Sequence, residues 1–430
     1  MNVLKHPKTW ACLAVAAISI TASAQQSSPV PQAAQAPISS LNAPTSLRDA
    51  LESAWQKHAF LRSEANRRAE IAGRKLQTQG FISAPPTLGL VHNTDLIGSN
   101  NGLRGLEAEI SAPLWKRNLR IATQSQIERD EQRFALSGQA AKLKLSGELR
   151  ELAAKYSLAL ADETLAKRKV AEASTLADDV ARRVKAGDVA RVDNLMAQSA
   201  VAQANVQLEA AQVELATLQS QWQALTTLST APSPLPSLVP LVQPLLQSRP
   251  SADVQNHPQL LEAQAAVNAT QAKLNTTLAD SRDPVEVGVS AAREKSARGN
   301  PAETSMKFLL RIPFGGASRN DAKAAAARAE LDEAQTALEA AQRQLQAELS
   351  TASAQVTASQ RQLVLAEQRA KIAAEAQALY AKAYRLGESD LLTRLRADNQ
   401  KFDAELAQSR AQLQLQRAQS QLQQAQGFLP

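Results

Sequence analysis

Apolar and polar residues alternate strictly in four short segments of the chain. In one of them Leu106, Ala108 and Ile110 alternate with Glu107 and Glu109. A period of two residues puts the apolar side chains on one face of a β-strand and the polar side chains on the other. The segments with this pattern lie around residues 87–90, 106–114, 285–291 and 306–314.

The chain also contains two long tracts without proline, from Leu114 to Ala231 and from Phe314 to Leu429. Both are rich in Ala, Leu, Gln, Glu, Arg and Lys, which lose little conformational freedom in a helix. The tracts predict helices over residues 117–186 and 317–386, each about 105 Å long at ~1.5 Å per residue. The fold class is therefore mostly α with a small β part.

The second tract carries a heptad pattern. Leu331, Leu338 and Leu345 recur every seven residues, with Ala334 and Ala341 between them. This spacing is typical of the seam of a coiled coil. The alanines would let a neighbouring helix approach closely.

Each tract is interrupted by a glycine, Gly187 in the first and Gly387 in the second, 200 residues apart. Glycine readily adopts the left-handed conformation that ends a helix. Each tract is therefore predicted to fold back as a helical hairpin with its tip at that glycine, followed by a returning helix. The alternative, a glycine tolerated inside one continuous helix, has precedent at Gly138 and Gly147.

The landmarks of the first half recur in the second. The segment that ends in Ala112-Pro113-Leu114 corresponds to the one that ends in Ile312-Pro313-Phe314, and His58 corresponds to His257. A duplication of a helix, a strand pair and a hairpin accounts for these matches. The predicted divisions are a signal peptide at 1–24, a Pro/Gln/Ala-rich linker at 25–46, a first repeat at 47–228, a Pro-rich linker at 229–251 and a second repeat at 252–430.

Four strands of roughly ten residues are long enough to cross a bilayer at a tilt, but single-chain barrels need about eight strands. Several copies of the chain must then share one barrel, and the pattern alone allows two, three or four copies. Gly-, Asn- and Ser-containing stretches at 95–103 and 295–302 are predicted to be the outward loops. The charged residues predicted to line the lumen are Glu107, Glu109, Glu286, Lys307 and Arg311.

The N-terminus has the features of an export signal. Lys5 and Lys8 precede an apolar run, and Ala22-Ser23-Ala24 offers a cleavage site. The run is about half the ~20 residues that a membrane anchor needs. The single cysteine, Cys12, lies within this segment, so thiol chemistry in the mature protein is excluded.

Composition excludes several other classes. Aromatic residues make up 3% of the chain, which leaves no stacking platform for nucleic acid despite a formal charge of +7. The chain has no nucleophile elbow, phosphate loop or zinc-protease motif, so we expect neither an enzyme nor a cofactor. After signal removal only His58, His92 and His257 remain, and their spacing does not suit metal ligands.

Residues 47–427 resemble the outer-membrane efflux factors of the TolC type. The resemblance rests on the two halves, the proline-terminated strand pairs and the tip glycines. The stretch from Tyr384 to Leu391, with Leu395-Arg396-Ala397 after it, is most similar to the branch that serves cobalt, zinc and cadmium pumps. The resemblance implies a homotrimer with a twelve-stranded barrel in outer-membrane lipid and a helical barrel through the periplasm.

The resemblance also implies partners and a site. The hairpin tips would close the periplasmic entrance and bind a periplasmic adaptor coupled to an inner-membrane pump of the RND type. An acidic residue six positions after the tip glycine contributes to closure in this family; Asp193 matches it, whereas the second repeat has Thr393. The residues predicted for the entrance and for docking are Arg183, Gly187, Asp188, Asp193, Tyr384, Arg385, Gly387, Glu388 and Asp390.

Other functions stay open at this stage. A conduit for drugs or for secreted proteins would have the same architecture, because the pump can select the substrate. A periplasmic adaptor would have one hairpin between β-rich modules, which the tandem repeat disfavours. A purely structural coiled-coil protein leaves the alternating strands without an explanation.

Overall fold

The described part of the chain is a set of long helices joined to one small sheet. The structure is a computed structural model that describes residues 46–228, 254–314 and 317–430. The predicted signal peptide, the N-terminal linker up to residue 45 and the Pro-rich linker at 229–251 lie outside the described residues. The elements in chain order are α1 (Leu47–Lys57), α2 (Ala59–Gln79), β1 (Thr87–Thr94), β2 (Arg104–Pro113), α3 (Arg117–Ala186), α4 (Arg191–Thr226), α5 (Pro258–Ala279), β3 (Glu286–Lys295), β4 (Glu303–Arg311), α6 (Ala317–Leu386) and α7 (Leu391–Ala425).

The two longest helices have the predicted bounds. α3 and α6 contain 70 residues each, and the returning helices α4 and α7 contain 36 and 35. Among the described helices, none combines the length and the hydropathy that a membrane-spanning helix requires.

The two matching histidines both begin helices. The Nδ1 atom of His58 accepts a hydrogen bond from the backbone N–H of Phe60 at 3.2 Å, at the start of α2. At the start of α5, Nδ1 of His257 accepts from the N–H of Gln259 at 3.3 Å. Each imidazole satisfies a backbone donor that the first helical turn leaves free. Both histidines therefore have the structural role of an N-cap.

The four strands form one antiparallel sheet in the order β1-β2-β3-β4. The central pair, β2 and β3, joins the two repeats. Helices continue from one end of every strand, whereas the hairpin loops at 95–103 and 296–302 lie at the other end. Lys295 was predicted to lie in an outward loop, and this was wrong: it is the last residue of β3 and pairs with Arg104.

Two of the predicted alternating segments, 106–114 and 306–314, extend past the ends of their strands. β4 ends at Arg311, before Ile312 and Phe314. Leu114 follows the end of β2; it makes an isolated bridge to Ile82, and its backbone N–H donates to the Val285 carbonyl at 2.8 Å. Pro113 and Pro313 cannot donate to a ladder, which accounts for the ends of both strands.

The helices pack against one another through buried leucine and alanine side chains. Leu331 is buried against Leu274 of α5 and Ala327, and Leu345 is 2% exposed. Another buried cluster joins α1 to α3 and α4 around Trp222 and Leu149. The predicted seam through Leu331, Leu338 and Leu345 thus lies on the inward side of α6.

Polar contacts tie the first repeat to the second along α3 and α7. The Arg417 guanidinium pairs with Glu151 at 2.5 Å, and that of Arg410 pairs with Asp162 at 2.8 Å. Arg150 is 5% exposed and donates to the Ser420 hydroxyl at 3.0 Å and to the Phe428 carbonyl at 3.1 Å. Burial lowers the pKa of Arg150 to about 10, and the guanidinium remains charged at neutral pH.

Candidate functional site

Both helical hairpins turn at the predicted glycines. Gly187 has φ = 84° and Gly387 has φ = 76°, in the left-handed region that favours glycine. At the first turn the N–H of Asp188 donates to the Arg183 carbonyl at 2.9 Å, and at the second the N–H of Glu388 donates to the Ala383 carbonyl at 2.9 Å. These bonds close the last helical turn in a Schellman arrangement, which lets the chain reverse within a few residues.

The two hairpin tips pack against each other. We call this contact the tip cluster; its buried members are Val180, Ala197, Tyr384 and Leu391. Val180 and Ala197 come from the first repeat, and Tyr384 and Leu391 come from the second. The partly buried residues around it include Leu176, Val184 and Leu395. The tip of each repeat is therefore positioned by the other.

Arg183 and Tyr384 are the predicted tip residues that lie in direct contact. The Arg183 guanidinium lies over the Tyr384 ring, 5.1 Å from its centroid, and its Nε is 3.1 Å from an Asp179 carboxylate oxygen. Burial raises the pKa of the Tyr384 phenol; the nearby Arg183 opposes the shift, and the carboxylates of Asp179 and Asp193 add to it. Tyr384 is therefore a neutral hydroxyl at physiological pH, held by packing and by a cation-π contact.

Asp188 and Glu388 occupy matching positions after the tip glycines, but the next acidic residue lies at a different position in each tip. Asp390 is the N-cap of α7, and its carboxylate accepts from the Thr393 N–H at 2.8 Å. Hydrogen bonds from Thr393 lower the pKa of Asp390. In the first repeat the N-cap position of α4 holds Ala190, and the carboxylate belongs to Asp193 in the first turn. Asp193 is half-buried, and its charge contributes to the raised pKa of Tyr384.

The remaining predicted tip residues are exposed. They are Asp188, Arg385 and Glu388, and the Arg385 side chain donates a hydrogen bond to the Ala381 carbonyl of its own helix. The structure does not bring Arg385 to Asp193. Within the described protomer, these three side chains are free to meet another chain.

Two features of the tip were missed from sequence. Asp179 holds the Arg183 side chain, and Arg394 forms an ion pair with Asp398 at 2.9 Å in the first turns of α7. Both pairs have i,i+4 spacing on a helix, the spacing at which opposite charges meet. That spacing occurs throughout these charged helices, so it did not distinguish the tip pairs from ordinary surface pairs.

All five charged residues predicted for the lumen lie on one face of the sheet. Glu107 lies 3.2 Å from the Lys307 Nζ and accepts from the Ser290 hydroxyl at 2.6 Å. Arg311 pairs with Glu109 at 2.9 Å and with Glu286 at 3.2 Å. The charges therefore form two networks of mixed sign across β2, β3 and β4: one neutral pair, and one guanidinium shared by two carboxylates.

The opposite face of the sheet is apolar and uncovered in the protomer. Phe308 is 85% exposed, Met306 is 70% exposed and Leu90 is 69% exposed. The strand register places these residues on the same face as Leu88, Leu106, Ile110, Val289 and Leu310. Such a contiguous apolar surface marks contact with lipid or with another apolar surface.

The fold defines a class of protein: a protomer whose paired helical hairpins continue from a small membrane sheet, as in tubular outer-membrane channels. In sequence, residues 250–427 match the family model described as "Outer membrane efflux protein". This match covers the second repeat. No curated protein matches the chain in sequence.

Solved structures of outer-membrane channels share the fold. The outer-membrane channel OprN superposes with a TM-score of 0.70 at 18% identity, over 89% of this chain and 89% of that one. CusC, described in terms of transmembrane channel formation, gives 0.69 at 16% identity over 89% and 92%. VceC, an outer membrane protein of Vibrio cholerae, gives 0.66 at 16% identity over 89% and 96%.

The second repeat thus matches that family in sequence, and the described chain has the fold of solved outer-membrane channels. The sheet end lies in the outer membrane, and the long helices form a large periplasmic portion. The protein is a passive channel component, not an enzyme.

Proposed function

We propose that three copies of the chain close their four-stranded sheets into one twelve-stranded barrel. The observation that carries this proposal is the open sheet: β1 and β4 have no partner on their outer edges within the described residues, and one face is apolar and exposed. Unpaired backbone groups inside a bilayer cost several kcal/mol each, so an isolated sheet cannot remain in lipid. Joining β4 of one copy to β1 of the next keeps the antiparallel alternation.

The channel then conducts substrates that an inner-membrane pump of the RND type delivers through a periplasmic adaptor. The tips are the part of the chain furthest along the helices from the sheet, where such partners would meet it. We assign closure of the entrance to the buried Tyr384 and to the half-buried Arg183 and Asp193. The exposed residues are assigned to adaptor docking; they are Asp188, Arg385, Glu388 and Asp390.

We further propose heavy-metal cations as the substrates. The support is the resemblance of the segment from Tyr384 to Leu391 to the branch that serves cobalt, zinc and cadmium pumps. On the polar face of the sheet Glu107, Glu109 and Glu286 each contact a cationic side chain, which reduces their tendency to retain a metal cation and fits a passive conduit. Selection would then belong to the pump.

The test is deletion of the gene in its own host, with growth measured against cobalt, zinc and cadmium and against a panel of drugs. We expect greater sensitivity to the metals, restored by the wild-type gene and restored poorly by Arg385→Glu, which reverses an exposed tip charge. Arg343→Glu, a charge reversal on an exposed part of the same helix, is the matched control. Sensitivity to drugs alone would instead support a conduit for drug efflux.

A further inference from the structure

Three cations gather on the apolar face of the sheet at its loop end. Arg104 pairs directly with Lys295 across the β2–β3 ladder, and Arg293 lies two residues before Lys295 on the same face. We call these three residues the outer-face cation cluster. Arg104 and Arg293 are exposed, and Lys295 is half-buried. Directly opposed residues lie about 4.5–5.5 Å apart between Cα atoms, so the three charges share one small area.

The charges at this level of the sheet are segregated by face. Glu294 lies between Arg293 and Lys295 in β3, so it faces the opposite side of the sheet. It pairs with Glu303 of β4, which places both carboxylates on the polar face. The cluster therefore has no acidic neighbour on its own face. Among the described residues, none of its three members forms an ion pair, whereas Lys307 and Arg311 on the polar face both do. Like charges that face each other across a ladder are destabilising unless an anion lies between them.

The cluster lies next to the exposed apolar residues of the same face, on their loop side. Arg293 pairs with Leu106, and the next pairs on this face towards the helices join Ala108 to Ala291 and Met306 to Ala291. A ligand that covers this face must therefore offer hydrocarbon to these apolar residues and negative charge to the cluster. Lipids with an anionic headgroup combine both features in one molecule.

We propose that the outer-face cation cluster binds the phosphate of a phosphorylated glycolipid in the outer leaflet. The inference rests on the proposed barrel, in which the apolar face meets lipid. The hairpin loops lie at the end of the strands opposite the periplasmic helices, so the cluster lies at the level of the outer headgroups. Two guanidinium groups and an ammonium supply the charge-assisted donors that phosphate oxygens accept, and each guanidinium can bind two oxygens at once.

The experiment titrates the purified wild-type oligomer with lipid A in detergent and follows occupancy by native mass spectrometry. Lipid A with its phosphates removed and inorganic phosphate are titrated in parallel. We expect lipid A to bind and both comparison probes to bind at least tenfold more weakly. Each basic residue near an anionic lipid surface contributes about fivefold in affinity, so Arg104→Gln/Arg293→Gln/Lys295→Gln should weaken lipid A binding by more than tenfold.

Arg298→Gln is the matched control, because it removes a cation from the neighbouring hairpin loop, where Arg298 contacts Asn100. Its affinity for lipid A should stay within a factor of two of wild type. Arg293→Gln alone serves if the triple variant does not assemble, and we expect about a fivefold loss.

Oligomer mass and outer-membrane fractionation are measured first for every variant. Equal binding of dephosphorylated lipid, equal binding of inorganic phosphate, or an equal loss in Arg298→Gln would overturn the proposal while the oligomer remains intact. A wild-type protein that fails to form the membrane oligomer would instead contradict the proposed function. The two failures are therefore distinguishable.

Discussion

Neighbouring leucines of β4 face opposite sides of the sheet and give the sharpest test at the scale of single residues. Leu310 is 64% exposed on the apolar face, whereas Leu309 pairs with Gly288 on the polar face. An arginine on the lipid side of a membrane barrel costs about 2–4 kcal/mol near the midplane, and one facing the lumen costs little. We expect Leu310→Arg to reduce outer-membrane assembly strongly in a fractionation assay.

Leu309→Arg is the control, since it introduces the same side chain one residue away. It should assemble nearly as well as wild type, with a small penalty from the neighbouring Lys307 and Arg311. Equal loss of assembly in both variants would contradict the assignment of the two faces.

His257 should make stability depend on pH. Burial lowers its pKa, with Glu348 and the backbone of Gln424 opposing that shift. In the unfolded chain the imidazole takes up its proton near pH 6.5, whereas in the fold it stays neutral to lower pH, so the unfolded state binds more protons below pH 6.5. The stabilising contribution is therefore complete above pH 6.5 and decreases as the pH falls towards the folded-state pKa.

The measurement is the thermal midpoint of wild type and His257→Asn between pH 7.5 and 5.5. Asparagine can still cap a helix but does not titrate. We expect a smaller decrease over this range in His257→Asn than in wild type. His58→Asn controls for the exchange of a capping imidazole, and an unchanged pH dependence in His257→Asn would refute the prediction.

At the scale of elements, the contact between the two hairpin tips depends on Tyr384. Its ring is 6% exposed in the tip cluster, while Tyr380, one turn earlier on α6, is 45% exposed. Loss of a buried aromatic ring costs about 3 kcal/mol, which should appear as local opening because the long helices are packed elsewhere. We expect Tyr384→Ala to accelerate hydrogen exchange in α3 between Leu176 and Val184.

Tyr380→Ala should leave that exchange close to the wild-type rate. In planar bilayers, Tyr384→Ala should also conduct more than wild type if the tip cluster holds the entrance closed. Unchanged exchange in Tyr384→Ala would show that the tips do not depend on this contact.

Sequence patterns predicted the elements better than their ends and contacts. Proline-free tracts and the tip glycines define the bounds of α3 and α6, because glycine and proline act on the backbone locally. The end of β3 was misplaced, since Lys295 has loop-like polarity, and only its pairing with Arg104 shows that the strand continues. The local sequence around Lys295 carries no signal of its pairing with a residue on another strand.

In the candidate site, too, the sequence predicted which residues are involved but not which of them contact each other. Alternation alone placed Glu107 and Lys307 on one face, but their ion pair depends on the register between β2, β3 and β4. At the tip, the contact of Arg183 with Tyr384 joins residues about 200 positions apart. Contacts of this kind follow from the packing of one repeat on the other and have no local sequence pattern.

In the proposed assembly of the whole molecule, the four strands of each chain form one third of a closed barrel. If neighbouring copies pair β4 with β1, Thr94 and Thr304 of adjacent chains lie at the same loop-end level. Within one chain they are three strands apart, about 14 Å at ~4.8 Å per strand. Cysteines introduced at both positions can therefore be joined between copies by a crosslinker shorter than 10 Å.

The decisive measurement is the ladder of crosslinked species from outer membranes that carry Thr94→Cys/Thr304→Cys. Cys12 lies in the predicted signal peptide, so the mature chain adds no other thiol. We expect bands of one, two and three chains and none larger, and we expect no trimer from either single-cysteine variant. A ladder that ends at two or at four chains, or a soluble monomer that never crosslinks, would contradict the proposed three-copy barrel.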